Sequence, residues 1–112
     1  MKELIKRVAK FRDERDWREF HTPKNLAISL VIEASELLEI FQWTFDEELD
    51  DIVKLKRDKI EEEIADVLVY LLLLADVLKI DLEQAFFKKM EKNEQRYPVE
   101  KARGKANKYT EL

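Results

Sequence analysis

Between Pro23 and Pro98 this chain contains neither proline nor glycine, and its one glycine is Gly104. Tight turns and hairpins draw on those two residue types, so a sheet built from short-turned strands is not expected. The fold class expected is all-α. The apolar spacing agrees: Leu4, Ile5, Val8 and Phe11 make a stripe on a first helix over roughly 2–16. Thr22 followed by Pro23 reads as an N-cap and first helical position, opening a second helix that runs to about Trp43. A break is expected at Thr44-Phe45-Asp46. The charged stretch 47–63 carries Leu49, Ile52 and Val53 at helical spacing but has no clear boundaries. A third helix runs to about Lys79, and Asp81 caps a fourth that stops before Pro98. Residues 98–112 read as a polar, irregular tail of a single domain, 1–112.

The third helix poses a problem of solvation. Val67 to Ala75 is an unbroken apolar run of nine residues, too short to span a bilayer, which needs about 20. A helix apolar around most of its circumference must be covered on all sides. Three companions in a 112-residue chain do not suffice, so an oligomer is expected, with no membrane partner. The absence of cysteine excludes disulfides and thiolate metal sites and fits a reducing cytoplasm. The opening segment lacks the apolar block of a signal peptide, so a cytoplasmic location is expected.

Charge is unevenly spread. Residues 1–87 carry a net charge of -8 and residues 88–108 a net charge of +5. A basic end can be a solvated tail, or half of a site that holds cations and phosphates together. No nucleic-acid partner is expected, because the cations come with no recognition motif and the body is acidic.

The chemistry concentrates in carboxylates. Glu33 and Glu36 stand three apart on one helix face among Val31, Ile32, Leu37, Leu38, Ile40 and Phe41. Glu63 and Asp66 repeat that spacing at the edge of the apolar run. Like charges gathered in a dry site repel one another and take up protons. A divalent cation removes the conflict, and Mg²⁺ suits carboxylate oxygens while keeping positions for phosphate. One Glu-x-x-Glu is usually only a solvated helix face; two pairs beside long apolar runs point to a metal centre. A di-iron bundle would need Glu-x-x-His on two helices, and the lone His21 does not supply that. Trp17, His21 and Trp43 lie where a base could stack beside such a centre. They also have ordinary readings as core or capping residues, and so has Asn25. Asp76 fits no motif and reads as a structural acid without an identified partner.

These residues resemble a known family. Glu33-Ala-Ser-Glu36 followed by Glu63-Ile-Ala-Asp66 is similar to the motif of the all-α nucleoside triphosphate pyrophosphohydrolases, the MazG-like superfamily. The segments RDWREFHTPKNL, ELLEIFQW, IADVLVYLLLLA and KMEKNEQRYPVEKARGKANKYTEL resemble its dCTP pyrophosphatase branch, in order and over nearly the whole chain. The resemblance implies a four-to-five-helix bundle of the all-α NTP pyrophosphatase type, assembled as a homotetramer that is a dimer of dimers. It implies hydrolysis of a nucleoside triphosphate to monophosphate and pyrophosphate, with Mg²⁺, or Mn²⁺ as a substitute. Glu33, Glu36, Glu63 and Asp66 would be the metal-binding and catalytic carboxylates. Trp17, Arg18, Phe20, His21, Asn25, Trp43 and Tyr70 would bind substrate. Lys89, Asn93, Arg96 and Tyr97 would contact phosphate or sugar. One position departs: animal members carry a His nine residues before the Trp matching Trp17, and here Val8 stands there. That leaves dUTP or a broad dNTP set beside dCTP or a modified dCTP. From another class, the rival is a non-catalytic helical assembly module, for which buried acids have no use.

Overall fold

The computed structural model describes residues 1–112 and contains helices and turns but no strand. Six helices follow one another: α1 (Lys2–Glu14), α2 (Pro23–Phe41), α3 (Leu49–Leu55), α4 (Arg57–Leu78), α5 (Leu82–Arg96) and α6 (Val99–Ala102). Short 3-10 turns occupy Arg18–Phe20, Asp46–Glu48 and Tyr109–Glu111. The chain falls into two compact units, Met1–Lys79 and Ile80–Leu112.

Both expected caps are present. Thr22 Oγ1 accepts the Asn25 amide at 3.1 Å, and Asp81 Oδ1 accepts the Gln84 amide at 3.0 Å. Each satisfies one of the amides that a helix start leaves bare. The charged stretch 47–63 resolves into α3 and the start of α4, divided at Lys56. No proline or glycine marks that division, which is why its boundaries were not legible. The tail is not irregular throughout, since α6 and the final 3-10 turn lie in it.

With so little glycine, helix ends are closed by other means. After α1, Asp16 takes a left-handed conformation (φ 53°). Its amide donates to the Asp13 carbonyl at 3.2 Å, and the Trp17 amide donates to the Arg12 carbonyl at 3.1 Å. This is a Schellman closure with aspartate where glycine is usual. Its hydrophobic contact is also in place, the Trp17 ring meeting Phe11 edge-on at 5.6 Å. α4 ends on Lys79, again left-handed (φ 57°), whose amide reaches the Ala75 and Asp76 carbonyls.

In the first unit α4 packs chiefly along α2 and secondarily along α1. Leu26 of α2 and Leu72, Leu73 and Ala75 of α4 are the fully buried apolar side chains. A fully buried leucine contributes roughly 1.5–3 kcal/mol, so this core is small. Many other apolar side chains of α2 and α4 are exposed: Ile28, Val31, Ile32 and Leu38 on one, Ile64, Leu68, Leu71 and Leu78 on the other.

The stripe expected on α1 is shifted. Leu4 and Phe11 are exposed and Ile5 and Val8 half-buried, while the fully buried side chain is Arg12, 1% exposed. Its guanidinium meets a carboxylate on either side, with Nε 2.8 Å from Asp13 Oδ1 and Nη1 2.8 Å from Asp76 Oδ2. Arg12 is therefore the partner that Asp76 lacked, and the pair ties α1 to α4.

Candidate functional site

The α2–α4 seam brings carboxylates together. Glu33 and Glu36 come from α2 and Glu63 from α4, and one oxygen from each lies within 4.8 Å of the others. Glu63 is buried at 3% exposure, Glu33 is half-buried and Glu36 faces solvent. Three turns of α2 separate Glu36 from the buried Leu26, whereas Glu63 lies on the side of α4 that meets α2. Helical periodicity thus turns core packing at one level of the seam into carboxylate convergence at another.

The electrostatics of the cluster are unresolved by protein groups. Glu63 Oε1 has the Lys59 ammonium at 2.8 Å, one helical turn earlier. Glu63 Oε2 and Glu33 Oε2 are buried without any hydrogen-bond partner. The Glu33 carboxyl is pushed above its usual range, first by burial and then by Glu36, Asp66 and Glu63. Glu63, with Glu62 and Glu36 behind it, holds the Lys59 ammonium protonated more firmly than usual. Orphaned buried carboxylate oxygens on hard donors fit a divalent cation, which would satisfy both at once.

Asp66 stands outside this trio. It is exposed, one turn beyond Glu63 on α4, and its charge still contributes to the field that raises Glu33. Tyr70, half-buried, lies a further turn along.

The turn after α1 carries the aromatic residues. The Schellman closure sets Trp17 down beside Phe11, and the 3-10 turn then delivers His21, whose ring lies 6.3 Å from that of Trp17. Arg18 Nε approaches Asp13 Oδ1 at 3.5 Å. Phe20 is 60% exposed. Asn25 is used structurally, its Nδ2 donating to the Phe20 carbonyl at 3.1 Å. His21 Nδ1 is buried and has no partner. Burial, and secondarily the Arg12 charge, hold this ring below its ordinary pKa of 6.5. Trp43, 84% exposed, follows the end of α2.

In the second unit, Arg96 and Tyr97 gather on Tyr109: the guanidinium carbon lies 4.5 Å from that ring's centre, and the two tyrosine rings meet edge-on at 6.1 Å. Lys89 is exposed and Asn93 half-buried on the same helix, α5.

Three participants went unread in the sequence. Lys59 had a signal, the i,i+4 spacing to Glu63. Arg12 had a weaker one, its place four residues after Val8 on the α1 stripe. Asp16 had none, since a left-handed aspartate is indistinguishable in sequence from any polar loop residue.

Residues 28–112 match the MazG-like family. The chain belongs to that family. It is 47% identical to dCTP pyrophosphatase 1 of Bos taurus and 45% identical to that of Homo sapiens, in both cases over 98% of its own length. It spans about two thirds of those relatives, 67% and 66%. Among solved structures it resembles a pyrophosphatase from Archaeoglobus fulgidus DSM 4304, with a TM-score of 0.83 and 52% identity, covering 88% of this chain and 92% of that one. The carboxylate trio, the turn after α1 and Trp43 belong to a MazG-like chain whose fold and family agree.

Proposed function

We propose that this MazG-like chain hydrolyses dCTP, or a modified dCTP, to the monophosphate and pyrophosphate, with Mg²⁺ as its cation and Mn²⁺ as a substitute. The chain is an enzyme, a nucleoside triphosphate pyrophosphohydrolase; its family and its pyrophosphatase relatives support that much. The observation that carries the metal is the α2–α4 trio, with two buried carboxylate oxygens unpartnered.

Glu33, Glu36 and Glu63 would hold the cation, with Asp66 joining once its exposed side chain turns toward them. When bound, the cation would supply charge neutralisation for the triphosphate and a more acidic water. A carboxylate oxygen of this set not engaged in ligation would accept a proton from the attacking water. Trp17, His21 and Trp43 offer ring faces and edges for a base, His21 with an uncommitted Nδ1. Arg18, Phe20, Asn25 and Tyr70 support the same site, Asn25 by bracing the turn. Lys89, Asn93, Arg96 and Tyr97 supply positive charge and hydrogen bonds for phosphate or sugar. Removing surplus or altered nucleotides from the cytoplasmic pool is the role this reaction serves. No helix is long and apolar enough to cross a membrane.

Val8 supports a second reading of specificity. A half-buried valine offers no hydrogen bond to a base or sugar, which favours a wider dNTP range including dUTP.

The open apolar faces of α2 and α4 support a homo-oligomer, a tetramer built as a dimer of dimers, because large contiguous apolar patches are rarely left in water. Light scattering behind size exclusion should give four times the chain mass; a monomer at micromolar concentration refutes the assembly.

The deciding experiment supplies Mg²⁺ and a panel of dNTPs and identifies the products. Monophosphate and pyrophosphate, fastest from dCTP or a modified dCTP, are expected. Orthophosphate release, or no turnover of any nucleotide, refutes the reaction, and an even profile across bases favours the wider range.

A further inference from the structure

Beside the carboxylate trio, α2, α3 and the start of α4 enclose an open cleft of about 670 Å³. Glu36 and Glu63 line it, together with Leu55, Lys56 and Lys59. Its size falls among sites for small molecules. Its lining is mixed in sign: Glu36 and Glu63 of the trio and Glu39 lie on one side, while Lys56 and Lys59 flank Asp58 at the N-terminal end of α4.

Lys59 is the only cation in the chain within 4.0 Å of a trio carboxylate. The two partners differ sharply in setting. Glu63 is 3% exposed, so water cannot solvate its charge, whereas the Lys59 side chain is 59% exposed and has rotamers open to it. A lysine ammonium is a compact charge on a flexible four-carbon stem. It sits on Glu63 Oε1, the oxygen opposite the orphaned Oε2, and so neutralises the same carboxylate that a divalent cation on the trio would neutralise. Once such a cation is held at Oε2, it and the ammonium repel each other across one carboxylate. The ammonium then swings away but remains tethered at the cleft, where the anionic part of a substrate must arrive.

We infer that Lys59 is an exchangeable counter-ion: it neutralises Glu63 while the metal is absent and transfers to a phosphate group of the substrate when the metal binds. This rests on the metal reading of the trio given above. Lys59 is a binding residue in this scheme, and its contribution falls on affinity. Lys56 lines the same cleft without pairing to the trio and provides the internal comparison.

The test needs no turnover. Mn²⁺ binding is followed by electron paramagnetic resonance in nucleotide-free protein, and inorganic tripolyphosphate binding by calorimetry at saturating Mn²⁺. Lys59→Met should tighten Mn²⁺ about 2- to 5-fold, the loss of one partly exposed ion pair, and weaken tripolyphosphate by a similar factor. Lys59→Arg should bind both like the parent, and Lys56→Met should tighten Mn²⁺ less than Lys59→Met. Unchanged or weaker Mn²⁺ binding by Lys59→Met overturns the counter-ion role. Tighter Mn²⁺ with unchanged tripolyphosphate overturns the transfer. A parent chain that binds no Mn²⁺ overturns the metal site and this inference together. One that binds Mn²⁺ yet hydrolyses no nucleotide overturns only the proposed reaction and leaves both binding comparisons decisive.

Discussion

Arg12 Nη1 lies 2.8 Å from Asp76 Oδ2, and the two ends of this pair are unequally buried, at 1% and 23% side-chain exposure. Arginine is thus the committed member. Its charge has only Asp13 and Asp76 to answer it, and Asp13 is half exposed. Removing one partner of a buried pair is costly because the other charge stays behind. Asp76→Asn should therefore cost about 1–2 kcal/mol, since Asp13 still faces the guanidinium. Arg12→Ala should cost more, about 3 kcal/mol, through a lost helix-to-helix tie and a void. Urea midpoints at unchanged slope measure both. Equal midpoints for the parent and Arg12→Ala would refute the tie.

His21 is the one histidine, so its titration can be followed by proton NMR without assignment. Burial and then the Arg12 charge hold it below 6.5. The midpoint should fall under that value in the parent and move upward in Arg12→Met. The sign of the stability effect follows. Just below 6.5 the unfolded chain binds more protons than the folded one, so stability is full above 6.5 and is lost as pH falls through that window. A His21→Gln variant should lose part of that acid sensitivity. A parent midpoint above 6.5 contradicts the burial of the ring.

Glu33→Gln separates function from stability. Its carboxyl is raised above the usual range, so at neutral pH its ionised form is disfavoured by the fold. A neutral isostere should raise the Tm of metal-free protein while reducing pyrophosphate release by more than about 100-fold, beyond what loss of an outer-shell contact costs. Asp66→Asn, at an exposed position, should abolish release with helix content and assembly unchanged. Circular dichroism, scattering and product analysis read these outcomes, and full activity in either variant removes that residue from the ligand set.

Lys79 closes α4 in a left-handed conformation, which costs a side-chain-bearing residue about 1 kcal/mol relative to glycine. Lys79→Gly should therefore stabilise the chain by up to that amount, offset in part by the greater freedom of glycine when unfolded. Thermal unfolding gives the answer, and a lower Tm would show that the Lys79 side chain contributes a contact.

Much of this was legible because helix formation and carboxylate spacing are local. Thr22, Asp81, the α2 span and the Glu33–Glu36 pair follow from neighbours within one or two turns, and Glu63 joins that pair from a second helix with the same spacing signal. The gaps are of two kinds. The α3–α4 division at Lys56 and the left-handed Asp16 arise from backbone geometry that no residue type announces. Arg12 occupies an apolar stripe only because Asp76, 64 positions away, answers it, and pairing over that distance has no periodicity. Asp66 shows the opposite limit: spacing places it one turn from Glu63 but does not say which way an exposed side chain turns.

The Schellman closure of α1 gives the aromatic turn a bearing as well as an end. Trp17 is set five residues after Arg12, and Arg12 is anchored to Asp76. One residue inserted between Arg12 and Asp16 would rotate everything that follows by about 100° on the helix axis. The indole would leave Phe11 while the carboxylates stayed in place. Residues added at the start of α1, by contrast, would leave the phase of Trp17 untouched.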